Sequence, residues 1–284
     1  MFTRRKFIQT LTAAAASAIT VDYIPSPWVS SSRKLRKIGF IEGIIDKELK
    51  GDWKSVLRET AGFGYTEIET GGFLGDSAEG FLSFCREIGI TPVAGGINFP
   101  DPRDKILKSL DLINSLKMKY AVAYWPWFTG GPFTLEDCKK SVDQINSLGK
   151  LCRENGLTFC WHNHNKEFIK MEEGLPYDYL MANTDKELVK CEMDIYWVVK
   201  GGSDPLKMLK KYKGRFVILH VKDMARGAGQ DFECPGSGII DFPSIFLEAA
   251  DQGIEHYFVE RDNAVNGMEC LKTSAEYLKN VSFK

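Results

Sequence analysis

The chain has 284 residues, and its 37 basic and 38 acidic side chains leave a formal charge of -1. That balance excludes the electrostatic footprint of a nucleic-acid or anionic-membrane binder, and the length is ample for one large core. Seven cysteines with no C-x-x-C spacing argue against a zinc knuckle or a disulfide framework. Cys85, Cys160 and Cys191 lie in apolar runs, where a thiol acts as a small core side chain.

Residues 1–20 combine a basic start containing Arg4-Arg5 with Phe7-Ile8 and the run Ala13-Ala14-Ala15-Ala16. Ala16-Ser17-Ala18 suits a small-residue cleavage site. The apolar part is too short to span a bilayer, so the pattern predicts an export signal rather than a stable membrane anchor. The paired arginines resemble a twin-arginine signal, which predicts a periplasmic or cell-envelope location. The plainer alternative is a basic amphipathic start followed by an incidental alanine run. The Ser- and Pro-rich residues up to 34 read as a linker, so the expected division is 1–34 for signal and linker and 35–284 for one folded domain.

From residue 37 onward, strand and helix patterns alternate. Residues 37–40 form a short apolar strand, and 53–62 have helical spacing. A strand at 64–69 precedes a helix at 78–88, and a strand at 89–94 precedes a helix at 101–116. A fourth strand at 119–124 leads to a long helix at 135–155, with Thr134 as N-cap and Glu136-Asp137 in its first turn. The fifth strand runs from the apolar 156–160 into Trp161-His162-Asn163-His164. Strands at 189–194, 215–220 and 256–260 follow, and a last helix reaches about residue 279. Gly64, Gly89, Gly156, Gly214 and Gly253 fall just before strands, where a helix C-cap wants glycine. Eight strand-helix units predict a closed (β/α)8 TIM barrel. An open doubly wound sheet is the alternative, but no Gly-x-Gly-x-x-Gly turn follows the first strand.

Barrel sites are built at the C-terminal ends of strands. Strand five ends with His162 and His164, which share a face. Strand six ends at Asp194, strand seven at His220 with Lys222-Asp223, and strand eight at Glu260 with Arg261-Asp262. Imidazole nitrogen and carboxylate oxygen together suit a divalent cation. The candidate ligands are His162, Asp194, His220 and Glu260; ordinary solvated strand ends are the bland alternative. His256 starts its strand and lies at the wrong end. Glu192 shares a face with Asp194 and reads as a buried salt bridge below the site, while Glu69 would reach the rim. Trp125, Trp127, Trp161 and Trp197 all fall at strand ends, and four indole faces there suit a ring-shaped polyol. Tryptophan also fills barrel interiors.

These residues resemble the xylose isomerase-like barrel enzymes, often termed sugar phosphate isomerases/epimerases, over residues 37–278. The resemblance rests on His162-Asn163-His164 with Glu167-Phe168, Met193-Asp194, His220-Val221-Lys222-Asp223, Pro235-Gly236-Ser237-Gly238 with Asp241, and Val259-Glu260. It implies an eight-stranded barrel holding one divalent ion (Mn, Co, Fe, Zn or Mg), with Glu, Asp, His and Glu as ligands from strands five to eight. Asp194, His220 and Glu260 match the last three. At strand five this chain has His162 where the epimerases carry a glutamate, which puts their two-carboxylate mechanism in doubt. Such an end looks more like inosose dehydratases and 3-keto-glycoside lyases; alternatively Glu167 reaches back as fourth ligand or binds a substrate hydroxyl.

The resemblance implies removal of a proton from carbon beside a carbonyl, through an enediolate. His164 or Glu167 is the expected base, with Lys222 assisting the oxygen and Glu260 also in the catalytic set. Pro235-Gly236-Ser237-Gly238 reads as a loop near the rim or as a plain turn. The leading reading is a metal-dependent isomerase or epimerase acting on a small carbohydrate. A lyase or dehydratase acting on a 3-keto-glycoside or keto-cyclitol is its rival, and a non-catalytic exported sugar-binding barrel is a third. Near-neutral charge and the signal segment argue against a DNA-repair endonuclease on the same barrel.

Overall fold

A computed structural model describes residues 32–99, 101–125 and 132–284. The export signal and nearly all of the linker lie outside the described residues, as does Trp127. Eight parallel strands close into a barrel: β1 (Gly39–Ile41), β2 (Glu67–Glu69), β3 (Thr91–Ile97), β4 (Tyr120–Ala123), β5 (Thr158–His162), β6 (Val189–Asp194), β7 (Phe216–Val221) and β10 (His256–Val259), with β10 hydrogen-bonded to β1. The (β/α)8 architecture read from the alternation is the one observed. Two short antiparallel strands, β8 (Asp223–Met224) and β9 (Phe232–Glu233), form a hairpin after β7 that the sequence reading did not anticipate.

Around the barrel run α1 (Trp53–Phe63), α2 (Ala78–Ile88), α3 (Arg103–Ser115), α4 (Leu135–Glu154), α5 (Pro176–Asn183), α6 (Ile195–Lys200), α7 (Pro205–Lys211), α8 (Phe242–Asp251) and α9 (Gly267–Asn280). Their starts are written in the sequence. Asp52 caps α1 by accepting from Ser55 N at 3.2 Å, and Ser77 caps α2 by accepting from Gly80 N at 3.1 Å. Thr134 and Asp137 form a reciprocal capping box on α4; such caps contribute about 1 kcal/mol each. Gly64 and Gly89 end α1 and α2 with φ of 106° and 76°, the left-handed region in which a side chain would be strained.

Strand alternation sorts the core into two layers. Phe40, Ile68, Phe159, Met193, Leu219 and Val259 point outward against the helices. Val93, Ala94, Tyr120, Val122, Cys160, Ile218 and Phe258 point inward and plug the barrel. Gly39 makes room for this plug, because a Cβ there would lie 2.5 Å from the Phe258 ring. One step further along the same inward faces come His162, Asp194, His220 and Glu260. Apolar packing thus closes the barrel from below and separates the polar groups of its C-terminal mouth from those at its other end.

At the opposite end His256 Nδ1 meets Glu67 Oε2 at 3.0 Å, and Lys37 Nζ meets Glu67 Oε1 at 3.1 Å. His256 is therefore an ion-paired residue away from the mouth. A disulfide joins Cys234, just after β9, to Cys270 on α9. This corrects the expectation that cysteine spacing argued against cross-links. The other five cysteines are free and buried.

Candidate metal centre and active site

Register brings the strand ends level: His162 pairs with Glu192 across β5 and β6, and Asp194 with His220 across β6 and β7. His162 Nδ1 lies 2.8 Å from Glu192 Oε2, and its Nε2 lies 3.8 Å from Asp194 Oδ2. His220 sits at the centre. Its Nδ1 is 2.7 Å from Glu260 Oε2, and its Nε2 is 3.1 Å from Glu69 Oε2 and 3.2 Å from Glu192 Oε1. The two imidazoles meet edge to face with centroids 4.8 Å apart. Lys222 Nζ is 3.0 Å from Asp194 Oδ2, 3.1 Å from Glu260 Oε2 and 2.8 Å from Asp262 Oδ2. Asp194 also caps α6 through Oδ1, which accepts from Trp197 N at 2.9 Å. Asn163 fixes the β5–β6 join by exchanging two 3.2 Å hydrogen bonds with the Asp194 backbone.

The charges are perturbed as such crowding requires. Burial, with the charge of Glu69 second, pushes the Glu192 carboxyl well above its ordinary range. Glu69 is also raised by burial, but His220 outweighs this and holds it low. Burial acts to lower His220, yet Glu192, Glu69 and Glu260 raise it well above a free imidazole. Burial moves Asp194 up to about 7 against the pull of Lys222. Lys222 is held above the ordinary lysine range because Asp194, Glu260 and Asp262 outweigh the cost of burying it.

Glu69, Glu192 and Asp194 are all fully buried, with Lys222 as the nearby fixed cation. Without an ion the cluster balances its charge by keeping protons on Glu192 and His220, and a bound cation could replace those protons. Two triads, His162/Glu192/His220 and Asp194/His220/Glu260, each offer ligand atoms within 4.8 Å of one another. Asp194 Oδ2 and Glu192 Oε1 are buried without a hydrogen bond of proper geometry. Mixed imidazole and carboxylate donors that converge within 4.8 Å of one another fit a divalent cation.

Above the cluster opens a cavity of about 560 Å³, lined among others by Tyr124, Trp125, His164, Trp197, Phe232 and Asn263. Trp125 stacks on His164 with centroids 3.5 Å apart and planes at 12°, and remains about half exposed. Trp197 lies on the other side of His164, with centroids 5.5 Å apart. Burial lowers His164 to about 3, so the ring is neutral, and its Nδ1 has no hydrogen-bond partner.

Three expected site residues are placed differently. Trp161 points outward and stacks on Tyr177 at 4.9 Å, because it alternates with inward-facing Cys160 and His162. Glu167 sits behind His164, whose backbone N–H it accepts at 3.1 Å, and it does not line the cavity. Burial raises it to about 8, so it is a neutral positioning group at pH 7. Glu69 is engaged internally, taking the Tyr124 hydroxyl as well as facing His220. Tyr124, Asp262 and Phe232 were not singled out from the sequence as site residues. Tyr124 continues the inward face of Tyr120 and Val122, a signal that was available.

Lys222 does not pair with Asp223. The Asp223 carboxylate instead accepts from Met224 N, Gly236 N, Gly238 N and Ile240 N at 2.8–3.1 Å. It anchors the loop that follows β9. A Cβ on Gly238 would lie 2.3 Å from both Asp223 Oδ1 and Met224 O, which explains the glycine.

Comparison with known proteins agrees with this architecture. Residues 57–281 match the model of the xylose isomerase-like TIM barrel family, and the chain belongs to that family. An inosose dehydratase of Clostridium perfringens is 30% identical over 164 residues, covering 51% of this chain and 54% of the relative. The chain thus matches over about half the length of the curated relatives. A sugar phosphate isomerase/epimerase from Parabacteroides distasonis is 25% identical, covers 88% of this chain and 96% of its own, and superimposes with a TM-score of 0.72. A 3-keto-D-glucoside 4-epimerase from E. coli shares the fold at 19% identity, covering 86% and 99%, with a TM-score of 0.63.

Proposed function

We propose that the protein is a divalent-metal-dependent enzyme that removes the proton beside the carbonyl of a keto-sugar or keto-cyclitol. The observation that carries this reading is the pair of convergent donor triads, His162/Glu192/His220 and Asp194/His220/Glu260, at the barrel mouth. His162, Asp194, His220 and Glu260 would hold the cation, with Glu192 orienting His162 through Nδ1. When bound, the cation supplies Lewis-acid polarisation of substrate oxygens.

The remaining chemistry belongs to side chains. Trp125 and Trp197 flank the ring and exclude water. His164, whose neutral ring lines the cavity, accepts the proton. The C–H bond breaks, its electron pair forms a carbon–carbon double bond, and the carbonyl pair moves onto oxygen. Returning the proton to the opposite face of the same carbon completes an epimerisation; returning it to the former carbonyl carbon, while the neighbouring hydroxyl gives its proton to the former carbonyl oxygen and becomes the new carbonyl, completes an isomerisation.

Lys222 favours a second reading. Its ammonium is buried at the rim of the cavity with three carboxylates around it that keep it protonated, so it can donate a hydrogen bond, and then a proton, to an alkoxide as it departs. In that elimination the β carbon–oxygen bond breaks, the oxygen leaves with the electron pair, and it takes a proton from Lys222. The similarity to inosose dehydratases supports the same direction.

Incubation of the Mn-loaded protein with 3-keto-glucosides and inosose in deuterated water tests both. Deuterium beside the carbonyl with the skeleton retained supports isomerisation or epimerisation, and loss of aglycone or water supports elimination. Neither exchange nor turnover across the panel overturns the proposal. We also propose export: the Cys234–Cys270 disulfide needs an oxidising compartment, which suits a periplasmic or cell-envelope location.

A further inference from the structure

A second cavity of about 300 Å³ adjoins the first and shares Ile41 and Tyr124 with it. Its walls come from two loops, the 3-10 turn after β1 and the segment after β2, and they contribute Glu42, Gly43, Asp46, Thr70 and Gly71. The walls are fastened to each other. Glu42 Oε2 accepts from Gly71 N at 3.2 Å and lies against the Thr70 hydroxyl, whose single proton can go either to it or to Gly72 O at 2.7 Å. Every hydrogen bond described for Glu42 falls on Oε2, which leaves Oε1 as an acceptor.

The lining has a definite chemistry. Glu42 and Asp46 contribute two carboxyl groups, with Glu69 buried behind them against Tyr124 and His220, and no lysine or arginine lines the space. Phosphate or carboxylate is repelled there, whereas a hydroxyl can donate to a carboxylate in a charge-assisted hydrogen bond. The space itself is held open by residue choice. A Cβ built on Gly43 or Gly71 meets no atom within 4 Å, and neither residue has the positive φ that would demand glycine. Glycine at both positions keeps the floor low where the backbone would accept larger residues.

We infer that this cavity is a subsite for a second, uncharged, hydroxyl-bearing ring, so that the substrate is a glycoside of at least two rings rather than a free or phosphorylated monosaccharide. The inference rests on the keto-sugar reading above: the reacting ring occupies the larger cavity over His162 and His220, and the neighbouring ring passes Tyr124 to reach Glu42 and Asp46.

Calorimetric titration of the Mn-loaded full chain with methyl β-D-glucoside and with cellobiose, maltose and sucrose tests it. The best disaccharide is expected to bind at least about tenfold more tightly than methyl glucoside, the worth of one charge-assisted hydrogen bond. Gly71→Leu and Gly43→Leu fill the cavity from opposite walls, and in each the affinity ratio should fall toward one. Thermal melting confirms that both variants are folded. If methyl glucoside binds but no disaccharide binds more tightly, or if the ratio survives both substitutions, the subsite is wrong while the keto-sugar reading stands. If no sugar binds and no deuterium exchange occurs, the keto-sugar reading fails and takes the subsite with it.

Discussion

Replacing Glu167 by Gln gives a measurable test of how the site is supported. Burial raises this carboxyl from 4.5 to about 8, so the folded protein keeps a proton that the unfolded chain releases. Below pH 4.5 both states are protonated and the shift has no effect. Between 4.5 and 8 the unfolded chain ionises while the folded one does not, so stability falls as pH rises; above 8 the deficit is constant. At about 1.36 kcal/mol per pH unit, this amounts to roughly 3 kcal/mol at pH 7 and roughly 4 kcal/mol at pH 8. Gln cannot ionise, yet its amide oxygen can still accept the His164 N–H now bound at 3.1 Å. Urea unfolding of both proteins in chelator, at pH 5, 6, 7 and 8, should show E167Q gaining on the wild type by about 1 kcal/mol per pH unit. A difference that does not change with pH would refute a neutral Glu167 behind His164.

Removing the buried ammonium with Lys222→Met leaves Asp194, Glu260 and Asp262 without their fixed cation. The variant is expected to lose about 3–5 kcal/mol in metal-free urea unfolding and to recover part of that loss with saturating Mn. Cys234→Ser opens a cross-link between residues 36 apart, and chain-entropy reasoning sets the loss at about 4 kcal/mol, with 2–5 usual; melting with and without reductant measures it. Fractionation with mass spectrometry should find the mature chain outside the cytoplasm and starting near residue 19, whereas an intact Met1 in the cytoplasm contradicts export.

Much of the barrel was legible because its strands are apolar runs closed by glycine caps, and because a barrel site gathers at strand ends. Asp194, His220 and Glu260 could be grouped on that basis alone, and the structure brings them together. Trp161 was misjudged although the alternation that points His162 inward necessarily points its neighbour outward. Four helices, α5 to α8, escaped notice, and α5, α6 and α7 carry too few turns for a clear periodicity. Glu167 looked like a base because sequence shows its type and nearness to His164, while its direction depends on the 3-10 turn at Lys166–Phe168. No local motif marks Cys234 and Cys270 as partners; only the packing of the post-β9 loop on α9 brings them together. The role of Asp223 was hidden for a similar reason, since its four backbone donors come from residues up to 17 positions away.

The central claim is that the mouth of the barrel is a divalent-cation site. Its most direct test is metal content after chelation, reloading with Mn and exhaustive dialysis, measured by emission spectroscopy on the wild type, His220→Ala and Asp194→Ala. One equivalent in the wild type and well below one in both folded variants is the predicted result. A full equivalent retained by both variants, or none in the wild type, would contradict it.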